Sequence, residues 1–247
     1  MRNLSMRAHE SRHRGNLLPD QRAEDAGKLC VVLDMDETLI HSIFASESDR
    51  GQFRQQELRK RLGELTKPEP GDKFAPLEHF EVVLSDGERV KTIKRPGVDA
   101  FLARLAGACE LIVFTAAVPM YANPVLDRLE VDGPGTLFRH RLFRNACVQK
   151  GGFFLKDLSV IGRDLRRTVL VDNNNVCFLP QPENGVPIES FYDDERDEEL
   201  PKIASLLERL AKEDDVRPTL ARDFGLKQRL KQYREHVYGP DAPVSRL

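Results

Sequence analysis

The chain has 247 residues, enough for one α/β domain with a sizeable core, or for such a domain with extensions. Its 38 Lys and Arg against 40 Asp and Glu leave a net charge of −2, which excludes a global basic field aimed at nucleic acid. No stretch reaches the ~18 uninterrupted apolar residues of a membrane-spanning helix, and the four cysteines, Cys30, Cys109, Cys147 and Cys177, lack C-x-x-C or Cys/His ligand spacing and read as reduced core thiols of an intracellular protein.

Residues 1–27 are polar, show no hydrophobic period and lack the apolar core of a secretory signal, so they are expected to form a flexible arm. The domain is expected to start at Lys28. Leu29, Cys30, Val31, Val32 and Leu33 form an apolar run without alternation, the pattern of a strand covered on both faces in a parallel sheet. The run stops at Asp34 and Asp36. In an open α/β sheet the chemistry gathers at the carboxyl ends of the strands, where Asp34 would sit. Two like charges this close need a cation between them or separated pKa values; the alternative is a strand ended by a polar turn, with Asp36 capping a helix.

A charged, Gly- and Pro-containing stretch over 45–77 reads as an insertion, with a short exposed helix near 53–65. The runs 80–84 and 89–93, split by Ser-Asp-Gly-Glu, predict a β-hairpin. Pro96-Gly97 then opens a helix whose Val98, Phe101, Leu102 and Leu105 share one face. A second buried strand over 111–114 ends at Thr115 and leads to a Pro-started helix around 121–129. A third, over 168–171, ends at Asp172-Asn173. A fourth is expected over 188–191, before an amphipathic helix carrying Ile203, Leu206, Leu207 and Leu210. Strands alternating with helices predict a Rossmann-like parallel sheet with helices on both faces and a small β-hairpin insertion. Asp34, Thr115 and Asp172 are each the first polar residue after an apolar run, which sets all three at one edge of that sheet.

Two carboxylates, a hydroxyl, the Lys156 cation and an acid–amide pair form a kit for metal-assisted phosphoryl transfer. Asp34 would attack phosphorus, and Asp36 would protonate the leaving oxygen and then deprotonate water. Thr115 and Lys156 would hold phosphoryl oxygens. Mg²⁺, a hard ion that favours oxygen ligands, would offset the repulsion between carboxylate and phosphate.

The segments DMDETLI, FTA, FLKDLSVIGRDLRR and VDNN resemble the four motifs of the haloacid dehalogenase superfamily, in the form found in FCP/SCP (small C-terminal-domain, NLI-interacting-factor-like) phosphatases. The similarity runs from about residue 29 to 220 and includes KRPGVDAFL and RLFRNACV. It implies a Rossmann-like haloacid dehalogenase core, Mg²⁺, and hydrolysis of phosphoserine or phosphothreonine in a phosphoprotein; the charge balance and the lack of a long apolar run predict no direct nucleic acid or membrane binding. By position, it implies Asp34 as nucleophile, Asp36 as acid/base and a metal ligand through its carbonyl, and Asn173 beside Asp172 completing the metal site. Thr38 of the first motif and Arg144 are candidate substrate-binding residues. Phe44, Val118 and Tyr121 match positions lining the apolar substrate pocket.

The chain departs from that pattern in three places: Asn173-Asn174-Asn175 replaces the usual Asn-Ser-Pro, the 45–77 insertion is longer and more charged, and both ends extend past the core. A phosphatase domain over 28–220 followed by an extension over 221–247 is expected. The last residues, Ser245-Arg246-Leu247, are a conservative variant of the Ser-Lys-Leu address. They point to peroxisomal or glycosomal import through its receptor, against a cytoplasmic or nuclear location with an incidental ending.

The six histidines form no ligand cluster, and the acidic run 193–199 lacks the spacing of a calcium loop. Arg163, Arg166 and Arg167 read either as a basic rim or as a solvated face. Against the protein phosphatase stand two other readings, a phosphatase for a small metabolite and a catalytically silent phospho-binding scaffold.

Overall fold

The computed structural model describes residues 16–45, 76–130, 133 and 135–238, the last six by backbone alone. The expected helix near 53–65, nearly all of the insertion and the Ser245-Arg246-Leu247 ending lie outside the described residues.

Five parallel strands build the central sheet: β1 (Leu29–Leu33), β5 (Cys109–Phe114), β6 (His140–Leu142), β9 (Thr168–Asp172) and β10 (Gly185–Pro187), in the spatial order β10-β9-β1-β5-β6. The apolar run of β1 lies at the centre, and Val31 pairs with Leu111 on one side and Val169 on the other. Successive side chains point to opposite faces, so Leu29, Val31 and Leu33 enter one core and Cys30 and Val32 the other.

The first core lies under three helices, α1 (Val98–Ala106), α2 (Pro119–Leu129) and α3 (Glu199–Leu210). Of the predicted apolar stripe of α3, Ile203, Leu207 and Leu210 are buried and Leu206 packs at its margin. The opposite core is covered by single 3-10 turns, Leu158–Val160 and Asn175–Phe178, and by the start of α5 (Leu226–Tyr238), which follows α4 (Arg217–Phe224). Among the described residues no helix is long and apolar enough to cross a membrane.

The predicted hairpin forms as β3 (His79–Val83) and β4 (Arg89–Lys94). Gly87, at φ 88°, closes its turn in a conformation that favours glycine. A strand that the sequence did not suggest, β2 (Ile40–Phe44), pairs with β4 to complete a three-stranded antiparallel sheet beside the first core. A two-stranded ribbon, β7 (Val148–Lys150) and β8 (Phe153–Leu155), leads into Lys156.

Three expectations are corrected. Residues 188–191 form no strand; pairing with β9 stops at Pro187, and the Phe191 amide turns away to donate to the Glu37 carbonyl at 2.8 Å. Residues 16–27, expected within a flexible arm, pack on the domain: Leu18 joins the second core, and the buried Asp25 accepts from Lys28 (3.0 Å) and Arg139 (2.9 Å). Residues 221–238, expected to lie beyond the domain, form half of α4 and all of α5, and Leu226 is buried in the second core.

The three arginines weighed as a rim divide by role. Arg163 forms an almost fully buried pair with Glu110 at 2.7 Å, and Arg167 donates to the carbonyls of Gly27 and Ala211. Only Arg166 is a solvated residue, paired with Asp164.

Candidate active site

Parallel register brings the ends of the central strands into one row. Leu33 pairs with Val113 and Val171, so Asp34, Phe114 and Asp172 come next, with Thr115 one step beyond. The Asp34 amide donates to the Val171 carbonyl at 3.0 Å, and the Thr115 amide to that of Leu142 at 2.9 Å. Lys156 enters the same row from the ribbon. Its Nζ lies 2.5 Å from Asp34 Oδ1 and 2.6 Å from Asp172 Oδ2, and it is 1% exposed.

An ammonium this deep is stable only when paired. Burial alone would lower its pKa, but Asp172 and Asp34 more than reverse this and hold it charged. Burial pushes the Asp34 carboxyl up to about 7 against the pull of Lys156, with Asp172 and Asp36 adding to the rise.

Asp36 is held apart from this cluster by a turn with an unusual backbone. Among the described non-glycine residues Glu37 alone has positive φ, at 57°, fixed by its amide on the Ile40 carbonyl (2.7 Å) and its carbonyl on the Phe191 amide. The turn buries Met35 while Asp36 lines the cleft, where its Oδ1 accepts from the Tyr121 hydroxyl. Burial pushes Asp36 up to about 6; the Tyr121 bond opposes this and Glu37 adds to it. A carboxyl poised there can both give and take a proton near neutrality. The buried Arg95 braces this loop from beneath, donating to the Thr38 carbonyl at 3.0 Å while paired with Asp197.

Thr38 Oγ1 lies 3.2 Å from Asp34 Oδ2 and 3.3 Å from Asn173 Oδ1, and its single hydrogen can satisfy only one of them. The Asp36 carbonyl accepts no hydrogen bond among the described residues. Among the described residues no three His, Cys, Asp or Glu side chains converge as a metal cage. Lys156 spans Asp34 and Asp172, and what remains is a mixed set of a carboxylate, an amide oxygen and a main-chain carbonyl. Such a set suits a hard cation that keeps several waters.

The other predicted residues line the same cleft, which encloses about 740 Å³. Thr115 Oγ1 accepts from the Ala117 amide at 3.0 Å, and its own hydrogen has no acceptor among the described residues. Arg144 anchors on the Ala116 carbonyl at 2.6 Å and lies over the Phe154 ring. Phe44 packs on Tyr121 with ring centres 5.1 Å apart, and Val118 stands at the mouth. Tyr121, predicted as an apolar wall, is thus also the hydrogen-bond donor to Asp36.

Sequence reasoning missed Glu37, Asp86, Glu88 and Met120, which also line the cleft. The hairpin turn was legible, but nothing in its sequence says that it overhangs the ends of β1 and β5. The position of Met120, between Val118 and Tyr121, was the one available signal.

The chain matches the family model of NLI interacting factor-like phosphatases over residues 29–217. It is 39% identical over 204 residues to mouse "Carboxy-terminal domain RNA polymerase II polypeptide A small phosphatase 2", covering 83% of this chain and 65% of that protein. It is 38% identical over 201 residues to Drosophila melanogaster "Phosphatase Herzog", covering 81% of this chain and 49% of the relative. The chain thus spans between half and two thirds of the length of these relatives. The solved structure of Fcp1, an essential RNA polymerase II CTD phosphatase, shares the fold with a TM-score of 0.54 at 15% identity, covering 89% of this chain and 69% of that one.

Proposed function

This chain belongs to the NLI interacting factor-like phosphatase family, and we propose that it is a Mg²⁺-dependent phosphatase of the haloacid dehalogenase type, hydrolysing phosphoserine and phosphothreonine in proteins through an aspartyl-phosphate. The observation that carries this reading is the division of labour between two carboxyls of one cleft. Asp34 is locked to Lys156 and Thr38, while Asp36 stands off on Tyr121 with its pKa near 6.

Asp34 Oδ attacks phosphorus as the bond to the seryl or threonyl oxygen breaks, and Asp36 gives its proton to that departing oxygen. Asp36, now ionised, takes a proton from water, whose oxygen attacks the same phosphorus and releases phosphate from Asp34. Lys156 and the free Thr115 hydrogen hold the phosphoryl oxygens through both displacements, and Arg144 offers its remaining N–H groups at the rim. Asp34, Asn173 and the Asp36 carbonyl, beside Asp172, would hold Mg²⁺. When bound, the ion neutralises charge on the phosphoryl group and so reduces its repulsion from the carboxylates.

An open cleft with apolar Phe44, Val118 and Tyr121 at its mouth suits a side chain presented on a polypeptide. Relatives named for the RNA polymerase II C-terminal domain support the same substrate class. The test is hydrolysis of an aryl phosphate and of phosphopeptides with Mg²⁺, alongside sugar phosphates. Asp34→Asn should abolish turnover without unfolding the protein, and Asp36→Asn should accumulate acid-stable phosphate on the enzyme. Full activity in Asp34→Asn refutes the nucleophile; a preference for sugar phosphates refutes the protein substrate.

A further inference from the structure

A second, larger groove of about 960 Å³ lies between the Asn175–Phe178 turn and the first turns of α5. It neighbours the reaction cleft, and Asn173 and Asn174 border both. The two differ in character. The reaction cleft carries Glu37, Asp86 and Glu88 in addition to its reacting acids, whereas no carboxylate lines the groove among the described residues.

The groove has an apolar floor of Leu226, Leu230, Val176 and Leu179. Along its walls stand two carboxamides, Asn175 and Gln232, and the exposed guanidinium of Arg229, all three side chains without a partner among the described residues. A carboxamide offers a donor and an acceptor in one plane, the complement of a peptide unit. An apolar floor takes a side chain, and a free guanidinium takes a carboxylate or a phosphate through paired N–H donors.

We propose that this groove receives the substrate polypeptide beside the phosphorylated residue and selects chains that carry an anionic side chain opposite Arg229. The inference rests on the protein phosphatase reading and adds a substrate preference to it. An extended chain advances ~3.3 Å per residue, so peptides that vary several positions on either side of the phosphoresidue scan the groove. The anion can be a carboxylate or a second phosphate, since the guanidinium binds either.

The test uses the full chain with Mg²⁺ and phosphoserine peptides carrying Glu, Lys or a second phosphoserine at each of positions two to five on either side. In the native protein, kcat/KM on one side should favour Glu over Lys by about fivefold, through KM, as for a single rim ion pair. The doubly phosphorylated peptides show whether phosphate outbids carboxylate. Arg229→Glu should invert the preference toward Lys and leave kcat/KM for an aryl phosphate within about twofold, since Arg229 lies outside the reaction cleft. An unchanged preference in Arg229→Glu, or equal use of Glu and Lys peptides by the native protein, overturns the groove's role while leaving the phosphatase reading intact. Hydrolysis of aryl phosphate with no phosphopeptide turned over overturns the protein-substrate reading, and the groove's role with it.

Discussion

Arg95→Met should cost about 3–5 kcal/mol of folding stability, the range for removing one partner of a buried ion pair. The Arg95 side chain is fully buried and its partner Asp197 is 9% exposed. Its guanidinium makes four hydrogen bonds: Nε and Nη2 to the Asp197 carboxylate (2.8 and 2.7 Å), Nη1 to the Thr38 carbonyl (3.0 Å) and Nη2 to the Glu189 carbonyl (2.8 Å). Methionine replaces much of the stem but leaves one carboxylate and two carbonyls short of donors. For a domain of this size each kcal/mol moves the midpoint by ~2–4 °C, so thermal unfolding should shift down by about 6–20 °C. Adding Asp197→Leu removes the stranded charge, and the double variant should recover roughly 2 kcal/mol of the loss. Circular dichroism melts and urea titrations of the four proteins close the cycle. A single variant within about 1 kcal/mol of the native protein, or a double variant no more stable than Arg95→Met, refutes the clamp. The same residue reaches the site, since it holds the Thr38 carbonyl while the Thr38 hydroxyl bonds Asp34. The folded fraction of Arg95→Met should therefore also lose activity, by about tenfold.

Other consequences are as direct. Lys156→Met leaves Asp34 and Asp172 facing each other without their cation; turnover of an aryl phosphate should fall by a factor on the order of 10³. The remaining pair must share a proton, so its folded pKa lies above the unfolded value; stability then falls as pH rises through neutrality, and a urea midpoint higher at pH 8 than at pH 5.5 contradicts this. Tyr121→Phe keeps the ring contact with Phe44 but removes the donor to Asp36. It should slow turnover by about tenfold with little change in thermal midpoint, and an unchanged kcat removes Tyr121 from the reaction. His140 has a buried Nε2 without a partner among the described residues, and burial, with Arg163 adding, holds its pKa below the usual value. The folded state therefore binds fewer protons than the unfolded one, and this contribution to stability is complete above about 6.5 and lost as pH falls below it. His140→Asn should flatten the decline of the urea midpoint between pH 7 and 5; an equal decline in both proteins counts against the assignment.

What the sequence made legible is what repeats a simple rule. A short unalternating apolar run fits a strand covered on both faces, and the first polar residue after such a strand lies at the sheet edge. That reasoning set Asp34, Thr115 and Asp172 together, and the fold brings them there with Lys156. The family's motifs supplied Arg144 and Tyr121, which no periodicity would have found. The edge strand β6, His-Arg-Leu, was invisible because its three residues carry no period, and β2, Ile-His-Ser-Ile-Phe, because His41 and Ser42 interrupt its apolar side chains.

The remaining misses share one cause, which is that a contact between distant segments leaves no local trace. Nothing near Leu18 or Leu226 predicts burial, because each packs on segments far away in the sequence, Leu18 beside the Leu158–Val160 turn and Leu226 beside Phe178 and Gly185. The same holds for Arg95, an arginine before Pro96-Gly97 whose partners lie at Thr38, Glu189 and Asp197. Catalytic carboxylates announce themselves by where a strand stops. The residues that fix their loops do not, and the expected size of the Arg95 effect makes that difference measurable: a residue outside the cleft, in none of the four motifs, should cost more stability than Tyr121, which touches Asp36.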